Sequence, residues 1–500
     1  MKRRDAAFAG LGLAAAFCGI AIGEIVASAQ DSAFAPIQVV ASSAIDVPPA
    51  PVKEWATATF GTASKYIVVL IVVLAVAAIA AWAGLLARKR PWAGISVMLG
   101  LGAVGVVAGL LRPIDGQFTV LPSIIAGVAA AIALGLLVRA STSPASDDFS
   151  GRRALLGSAL VIGIGVLAVG AARFTSSRTS ATVNRLTALL PRPVDPLPPI
   201  PASAQAPVSG MTSFITPNDD FYRIDTSVVV PQVSTDEWKL TFDGMVNRSY
   251  SITYKELLEL PMIERDITIM CVSNPIGGDY IGTARWLGTP LMPLLMNAGI
   301  QSTADQLLSE SIDGWTCSTP LDGLADHEPM LAIGMNGEPL PIDHGYPVRM
   351  IIPGLYGFIS ATKWVTRITA TTYADRPAYW TVRGWATDAP VLTGSRLDVP
   401  RQPIPAGEQV LAGVAWAMDG DGISAVEVKI DDGPWLPANL ADQPSERAWR
   451  QWWLPWQAQS GEHEVQVRAV NGLGEVQTGE RRSSIPAGAT GYDTRIVTVT

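Results

Sequence analysis

Histidine is nearly missing from this 500-residue chain: His327, His344 and His463 are all it has. None lies in a long apolar run, so those runs offer no histidine pair to ligate a haem. Cysteine is as scarce, and Cys18, Cys271 and Cys317 cannot build a disulfide framework. No Cys-x-x-Cys, Cys-x-x-Cys-His or His-Glu-x-x-His spacing occurs, which argues against zinc and against a fused, covalently attached haem. Positive charge is not in surplus. Lys and Arg total 36 against 44 Asp and Glu, a net charge of −8, which excludes the basic surface a nucleic-acid partner needs. A Gly-x-Ser-x-Gly elbow, a Walker loop and a dinucleotide glycine fingerprint after a strand are also missing.

What the chain has in excess is apolar length. Five stretches lack charge for about the 20 residues that cross a bilayer: Ala6–Gly23, Tyr66–Ala87, Trp92–Leu111, Phe118–Val138 and Ala154–Ala172. None shows the polar stripe of a buried soluble helix, and all are rich in the Gly and Ala that let helices pack closely in lipid. Basic residues cluster before the first run (Lys2, Arg3, Arg4), after the second (Arg88, Lys89, Arg90) and before the fifth (Arg139, Arg152, Arg153). The alternation predicts a cytoplasmic N-terminus and everything after Ala172 outside. Arg152-Arg153, just ahead of an apolar segment, reads either as inside-positive charge or as a twin-arginine export signal. Glu24 sits at the outer interface of the first span, and the spans hold none of the charges or broken helices of a transporter.

Residues 1–172 are therefore expected as an all-α transmembrane bundle of five spans. Residues 173–210, with Pro191, Pro193, Pro196, Pro198, Pro199 and Pro201, predict a stiff extended spacer. Residues 211–395 mix strand-like runs (Glu237–Phe242, Asp266–Met270, Val348–Ile352) with helix-like ones (Tyr254–Leu260, Pro290–Ala298), an α+β pattern. Residues 396–500 are strand-rich at Val410–Trp416, Ala425–Ile430, Arg447–Trp453, Glu462–Ala469 and Thr494–Thr498, predicting an immunoglobulin-like β-sandwich without its disulfide. The Trp-rich stretch Trp449–Trp456 reads as a core strand ahead of a binding surface.

Two places can carry chemistry. Cys271 ends the strand-like run Asp266–Met270 and precedes Val272-Ser273-Asn274-Pro275, a junction that can present a thiol to a pocket. Read locally, it is equally an inert buried thiol or half of a disulfide with Cys317. The second place is His344-Gly345-Tyr346-Pro347-Val348-Arg349, followed by Pro353–Gly357 and Lys363-Trp364, whose cations around glycine turns suit an anion such as phosphate.

These segments come in one order with Asn218-Asp219-Asp220-Phe221-Tyr222-Arg223, Thr283–Gly288 and Met335–Pro341. Over residues 211–500 the chain resembles the sulfite oxidase family of molybdopterin enzymes, and its apolar third is similar to membrane-anchored bacterial members. The resemblance implies that Cys271 ligates molybdenum, with two-electron oxygen-atom transfer as the chemistry. It implies that His344, Arg349 and Lys363 hold the pterin and its phosphate, with Asp313 and Ser318 as further contacts. Asn218, Phe221, Tyr222, Arg223 and Asp225 fall in its cofactor-binding segment. Arg223 matches an arginine that binds an oxyanion substrate, and Trp385 falls near a tyrosine beside the metal. The departures concern charge. Pro275 and Ile276 stand where sulfite-oxidising members carry arginine, and Asp225 stands where they carry histidine. Both changes weaken the binding of a doubly charged anion. S- or N-oxide reduction thus stands beside sulfite-type oxidation, with a non-catalytic tethered scaffold as the reading from another class. The expected partners are a small substrate, membrane lipid, a separate membrane redox protein (a cytochrome or a quinone-linked chain) and a second copy through residues 400–500.

Overall fold

The computed structural model describes residues 3–28, 34–46, 63–111, 120–142, 178–227 and 230–500, with a few isolated positions between. It divides into two compact units, residues 1–181 with 226–232, and residues 182–225 with 233–500.

In the first unit, four helices are long and apolar enough to cross a membrane: Arg4–Ala27, Ser64–Lys89, Pro91–Leu110 and Leu121–Thr142. They match four of the expected spans. The fifth, with Arg152-Arg153, lies outside the described residues. The helices meet on small side chains, with Ala15, Ala80, Ala83, Ala87 and Ala130 buried together around Met98 and Leu134. Van der Waals contact between close backbones is what lipid leaves available to hold helices together. Asp5 and Arg88 pair, joining the start of the first helix to the end of the second. A shorter helix, Pro36–Asp46, lies between these two spans in sequence and was not anticipated.

The second unit begins with the segment expected as a spacer, and here that expectation needs correction. Arg178–Thr187 is a helix; from Ala188 the segment is extended apart from a short turn at Ala202–Ala204, as its prolines require, but it is a strap bound along the unit. Val194 N donates to Met262 O at 2.8 Å, Leu197 N to Glu264 Oε2 at 3.0 Å, and Ala206 N to Gln451 Oε1 at 2.6 Å. Prolines leave carbonyls free to accept, and Arg285 Nη1 uses that of Pro198 at 2.9 Å.

Beyond the strap, the domain expected as α+β is richer in strands than that. One sheet runs Tyr250–Thr253, Lys239–Gly244, Val365–Thr371, Gln306–Ser311, Thr316–Pro320, with only the Lys239–Gly244/Val365–Thr371 pair parallel. The other pairs Ile263–Met270 with Ile281–Pro290 and that with Met330–Met335, which also pairs Arg349–Ile351. The helices are short. Tyr254–Leu258 starts at a capping box between Thr253 and Glu256, and Met292–Ala298 stops at Gly299 in left-handed backbone. The core against the second sheet joins Phe221, Ile267, Ile269, Trp286, Met335 and Tyr346.

The C-terminal residues form two four-stranded antiparallel sheets around a shared core of Leu411, Val426, Val428, Trp452, Val465 and Val497. Within the Trp-rich stretch, Trp449 and Trp452 are fully buried while Trp453 and Trp456 are half-buried.

Candidate functional site

Cys271 follows the last residue of strand Ile263–Met270. Its amide donates to Tyr280 O at 2.9 Å, and its carbonyl accepts from Asn274 N at 3.0 Å, so a tight loop carries the thiol. Asn274 locks that loop from inside, its Oδ1 accepting from Tyr280 N at 2.8 Å. Ser273 Oγ lies 2.9 Å from the sulfur. Burial pushes the thiol's pKa up, and the Ser273 contacts oppose this. Cys271 and Cys317 are both free, which removes the disulfide expectation. Cys317 is wholly buried in strand Thr316–Pro320, and its thiol is pushed up to about 11 by that burial.

The cationic residues converge on the Asn218–Asp225 segment. His344 is buried, and its Nε2 donates to Asn218 O at 3.2 Å. Burial first, then the nearby Arg349 and Lys363 cations, lower its pKa to about 3, so the imidazole is neutral. Gly345 makes this placement feasible. Its φ is +114°, and a Cβ there would lie 3.2 Å from the Lys363 backbone. Lys363 Nζ donates to Asp225 Oδ2 at 2.8 Å and to Asp343 O at 3.1 Å. Its pKa falls to about 8 because burial outweighs Asp225. Arg223 shares the same carboxylate, Nε to Asp225 Oδ2 at 2.8 Å, and reaches Asp343 Oδ2 at 3.2 Å. The adjacent Trp364 holds a left-handed φ of 51°, unusual for a bulky residue and typical of functional turns.

Arg349 differs from its neighbours. It is 6% exposed, donates through Nη1 to His344 O at 3.3 Å, and lies over the Trp286 ring at 5.3 Å. Its Nε is buried with no hydrogen-bond partner, and among the described residues no carboxylate pairs with it. Burial lowers its pKa to about 10. The Tyr222 ring lies 6.4 Å from that of Tyr280, whose carbonyl accepts from the Cys271 amide. Burial raises the Tyr222 pKa, Cys271 adds to the rise, and Arg349 opposes it. Phe221 stacks on Tyr222 at 5.4 Å and meets the His344 ring edge-on at 5.5 Å. Asn218 Oδ1 accepts from Asn336 Nδ2 at 2.9 Å, fixing the segment.

The remaining expected residues are placed less centrally. Asp313 lies in a turn adjoining this region, since the neighbouring Ile312 N donates to Trp364 O at 3.0 Å. Ser318 is buried on strand Thr316–Pro320 and shares no hydrogen bond with His344, Arg349 or Lys363. Trp385 packs on Phe358 at 5.6 Å, and Phe358 belongs to the short helix Gly357–Ser360 whose start lies beside Met270 O. Two contributors escaped the sequence reading. Asp343 had a signal, standing next to His344. Arg396 had none: it is buried, and its Nη1 donates to Gly278 O, in the turn after the cysteine loop, at 2.9 Å.

This donor set fits a metal-pterin group. It combines a soft sulfur with a buried cation that has no carboxylate partner among the described residues, as a phosphate-bearing metal ligand requires.

The model of the oxidoreductase molybdopterin binding domain family matches residues 227–380. The chain is 28% identical over 318 residues to mitochondrial sulfite oxidase of Macaca fascicularis, covering 53% of this chain and 58% of that protein. It is 27% identical over 331 residues to sulfite oxidase of Gallus gallus, covering 55% and 71%. The chain thus spans a little over half the length of the first of these relatives. Among solved structures, the sulfane dehydrogenase SoxCD of Paracoccus pantotrophus shares the fold, with a TM-score of 0.51, 24% identity, and cover of 59% of this chain and 85% of that one.

Proposed function

Because this chain belongs to the sulfite oxidase family of molybdopterin oxidoreductases, we propose that it is a membrane-anchored enzyme that moves an oxygen atom and two electrons on a small substrate outside the cytoplasm. The observation that carries this reading is the Cys271 thiol and the Arg349 cation, which lacks a carboxylate among the described residues, linked through the ring run Tyr280, Tyr222, Phe221 and Trp286. A non-catalytic scaffold has no use for either, since a buried cation without a partner is costly to keep.

Molybdenum-pterin, when bound, supplies two-electron oxygen-atom transfer. Cys271 would ligate the metal as thiolate, and the Ser273 hydroxyl, 2.9 Å away, would donate to that sulfur and adjust its basicity. Arg349 and Lys363 would hold the phosphate. Neutral His344, its Nε2–H committed to Asn218 O, would offer Nδ1 to the pterin as an acceptor. Asp313 is a further cofactor contact, while Ser318 acts through the strand that bears it. Trp385 borders the substrate.

Charge sets the substrate class. Arg223, the residue matching an oxyanion binder, is engaged by both Asp225 and Asp343. A substrate with less negative charge than sulfite suits this arrangement, which favours an S- or N-oxide. Orientation follows the basic loops, with the N-terminus inside. Electrons come from a separate membrane redox protein, and the two-sheet C-terminal domain is an immunoglobulin-type sandwich that pairs two copies.

The test is metal and pterin content of the detergent-purified chain, made in a host that synthesises and inserts the cofactor. About one molybdenum per chain with pterin is expected. Cys271→Ser should retain pterin and lose turnover with an altered metal signal. Neither metal nor pterin in the wild type would discard the enzyme reading.

A further inference from the structure

The helix Arg178–Thr187 leads into the strap and carries apolar side chains on its outer side. Val183 and Leu186 are 51% and 72% exposed, and Leu189, just past the helix, is 90% exposed. Val183 and Leu186 are three residues apart and so share one face of the helix. The residues between them hold the opposite face to the catalytic unit. Asn184 Nδ2 donates to Thr235 Oγ1 at 3.2 Å. Arg185 donates through Nε to Leu340 O at 2.9 Å, and through Nη2 to Pro339 O at 3.2 Å and Glu338 Oε2 at 3.3 Å. Leu190 turns inward, with Cδ1 3.1 Å from where a Cβ on Gly334 would lie. The strap therefore starts with a fixed inner side and an apolar outer side. Water is a poor neighbour for exposed leucines this close together.

Chain length and charge both select lipid as what covers that side. The apolar run Ala154–Ala172 ends eleven residues before Val183. With the helix beginning at Arg178, that stretch reaches about 30 Å at most. A membrane span ending at Ala172 thus keeps the helix near the bilayer surface. From Arg173 to Val194 the chain has four arginines, Arg173, Arg178, Arg185 and Arg192, and no carboxylate. Anionic headgroups are the complement of such a segment.

We propose that the end of this helix and the leucine after it form a foot lying on the bilayer surface, with Val183, Leu186 and Leu189 among the lipid chains and the arginines at the headgroups. The proposal rests on the membrane-anchored reading and adds an attitude to it. The catalytic unit does not swing on a tether; it is seated on lipid by the edge that bears Glu338, Pro339 and Leu340. That edge lies four residues before His344, so the seat is coupled to the site's own scaffold.

The experiment uses the full, cofactor-loaded chain in nanodiscs of equal parts phosphatidylcholine and phosphatidylglycerol. A nitroxide is placed at Leu186→Cys, and separately at Leu189→Cys. Leu473→Cys, also at an exposed leucine but in the C-terminal domain, is the reference. Wild type taken through the same labelling gives the background from Cys18, Cys271 and Cys317. Collisions with oxygen, which concentrates in lipid, are compared with collisions with a water-soluble nickel chelate. At both foot positions the oxygen-to-nickel ratio should exceed the reference severalfold. Frequent collisions with both reagents, as at the reference, would place the helix in water and overturn the foot. Rare collisions with both would show that protein covers it and overturn the foot equally, with dipolar broadening then identifying a second copy as the cover. Either result on nanodisc-borne chain leaves the anchored reading standing, whereas a chain that enters no nanodisc removes that reading and the foot with it.

Discussion

Two basic regions lie side by side in the site and are built on opposite terms. Lys363 and Arg223 share Asp225 as a buried counter-ion, and Asp343 adds a carbonyl to the first and a carboxylate to the second. Arg349, also buried, has the His344 carbonyl and an indole face but no carboxylate among the described residues. The first region carries its own counter-charge, and the second has none until an anion arrives. A protein keeps an uncompensated buried cation only where a ligand will complete it.

The strongest way to break this contrast is Asp225→Asn, which strips the counter-ion from two cations at once. Cofactor-free protein should lose about 3–5 kcal/mol, as expected for one partner removed from a buried ion pair, and denaturant midpoints of the soluble unit's transition would show it. Arg349→Met should act in the opposite sense. The cofactor-free form gains about 1–3 kcal/mol because a desolvated cation is gone. Pterin retention falls about 10- to 100-fold with the loss of a charge-assisted contact. If both variants shifted stability the same way, the two regions would not differ as described.

A pH series sharpens the comparison. The Lys363 pKa is near 8 folded against 10.5 unfolded, so between those values the unfolded chain holds more protons. Stability of the cofactor-free form should therefore rise by about 1–2 kcal/mol as pH climbs through that window, and Lys363→Met should flatten the rise. Pterin affinity should weaken over the same range as the lysine loses charge. The smallest effect belongs to His344, neutral down to about pH 3 when folded. Wild-type stability should fall as pH drops below the ordinary histidine value of 6.5. His344→Gln should remove that contribution while changing stability at neutral pH by less than about 1 kcal/mol.

The sequence disclosed these groups unevenly. Cys271, His344, Arg349 and Lys363 sit in short runs whose residue types announce metal and anion chemistry, and the structure gathers the three cationic-cluster residues around Asn218–Asp225. The roles of the acids were hidden. Asp225 reads as a charge hostile to anionic substrates, yet its partner Lys363 is 138 residues away, and no local pattern announces such a pair. The four described apolar helices follow from composition alone, because lipid constrains sequence so tightly. The strap was misjudged for the converse reason. Proline fixes backbone shape, and shape says nothing about which distant groups will bind it.

That strap also imposes an order on biosynthesis. Ala206 N is held by Gln451 Oε1, 245 residues further along. Thr212 O accepts from Nε2 of the same glutamine. Val194 and Leu197 meet Met262 and Glu264 soon after they are made, but translation delivers residues 206–212 long before Gln451 exists. That end of the strap docks only once strand Arg450–Ala458 has been made, so the strap closes onto its unit from its front end to its back.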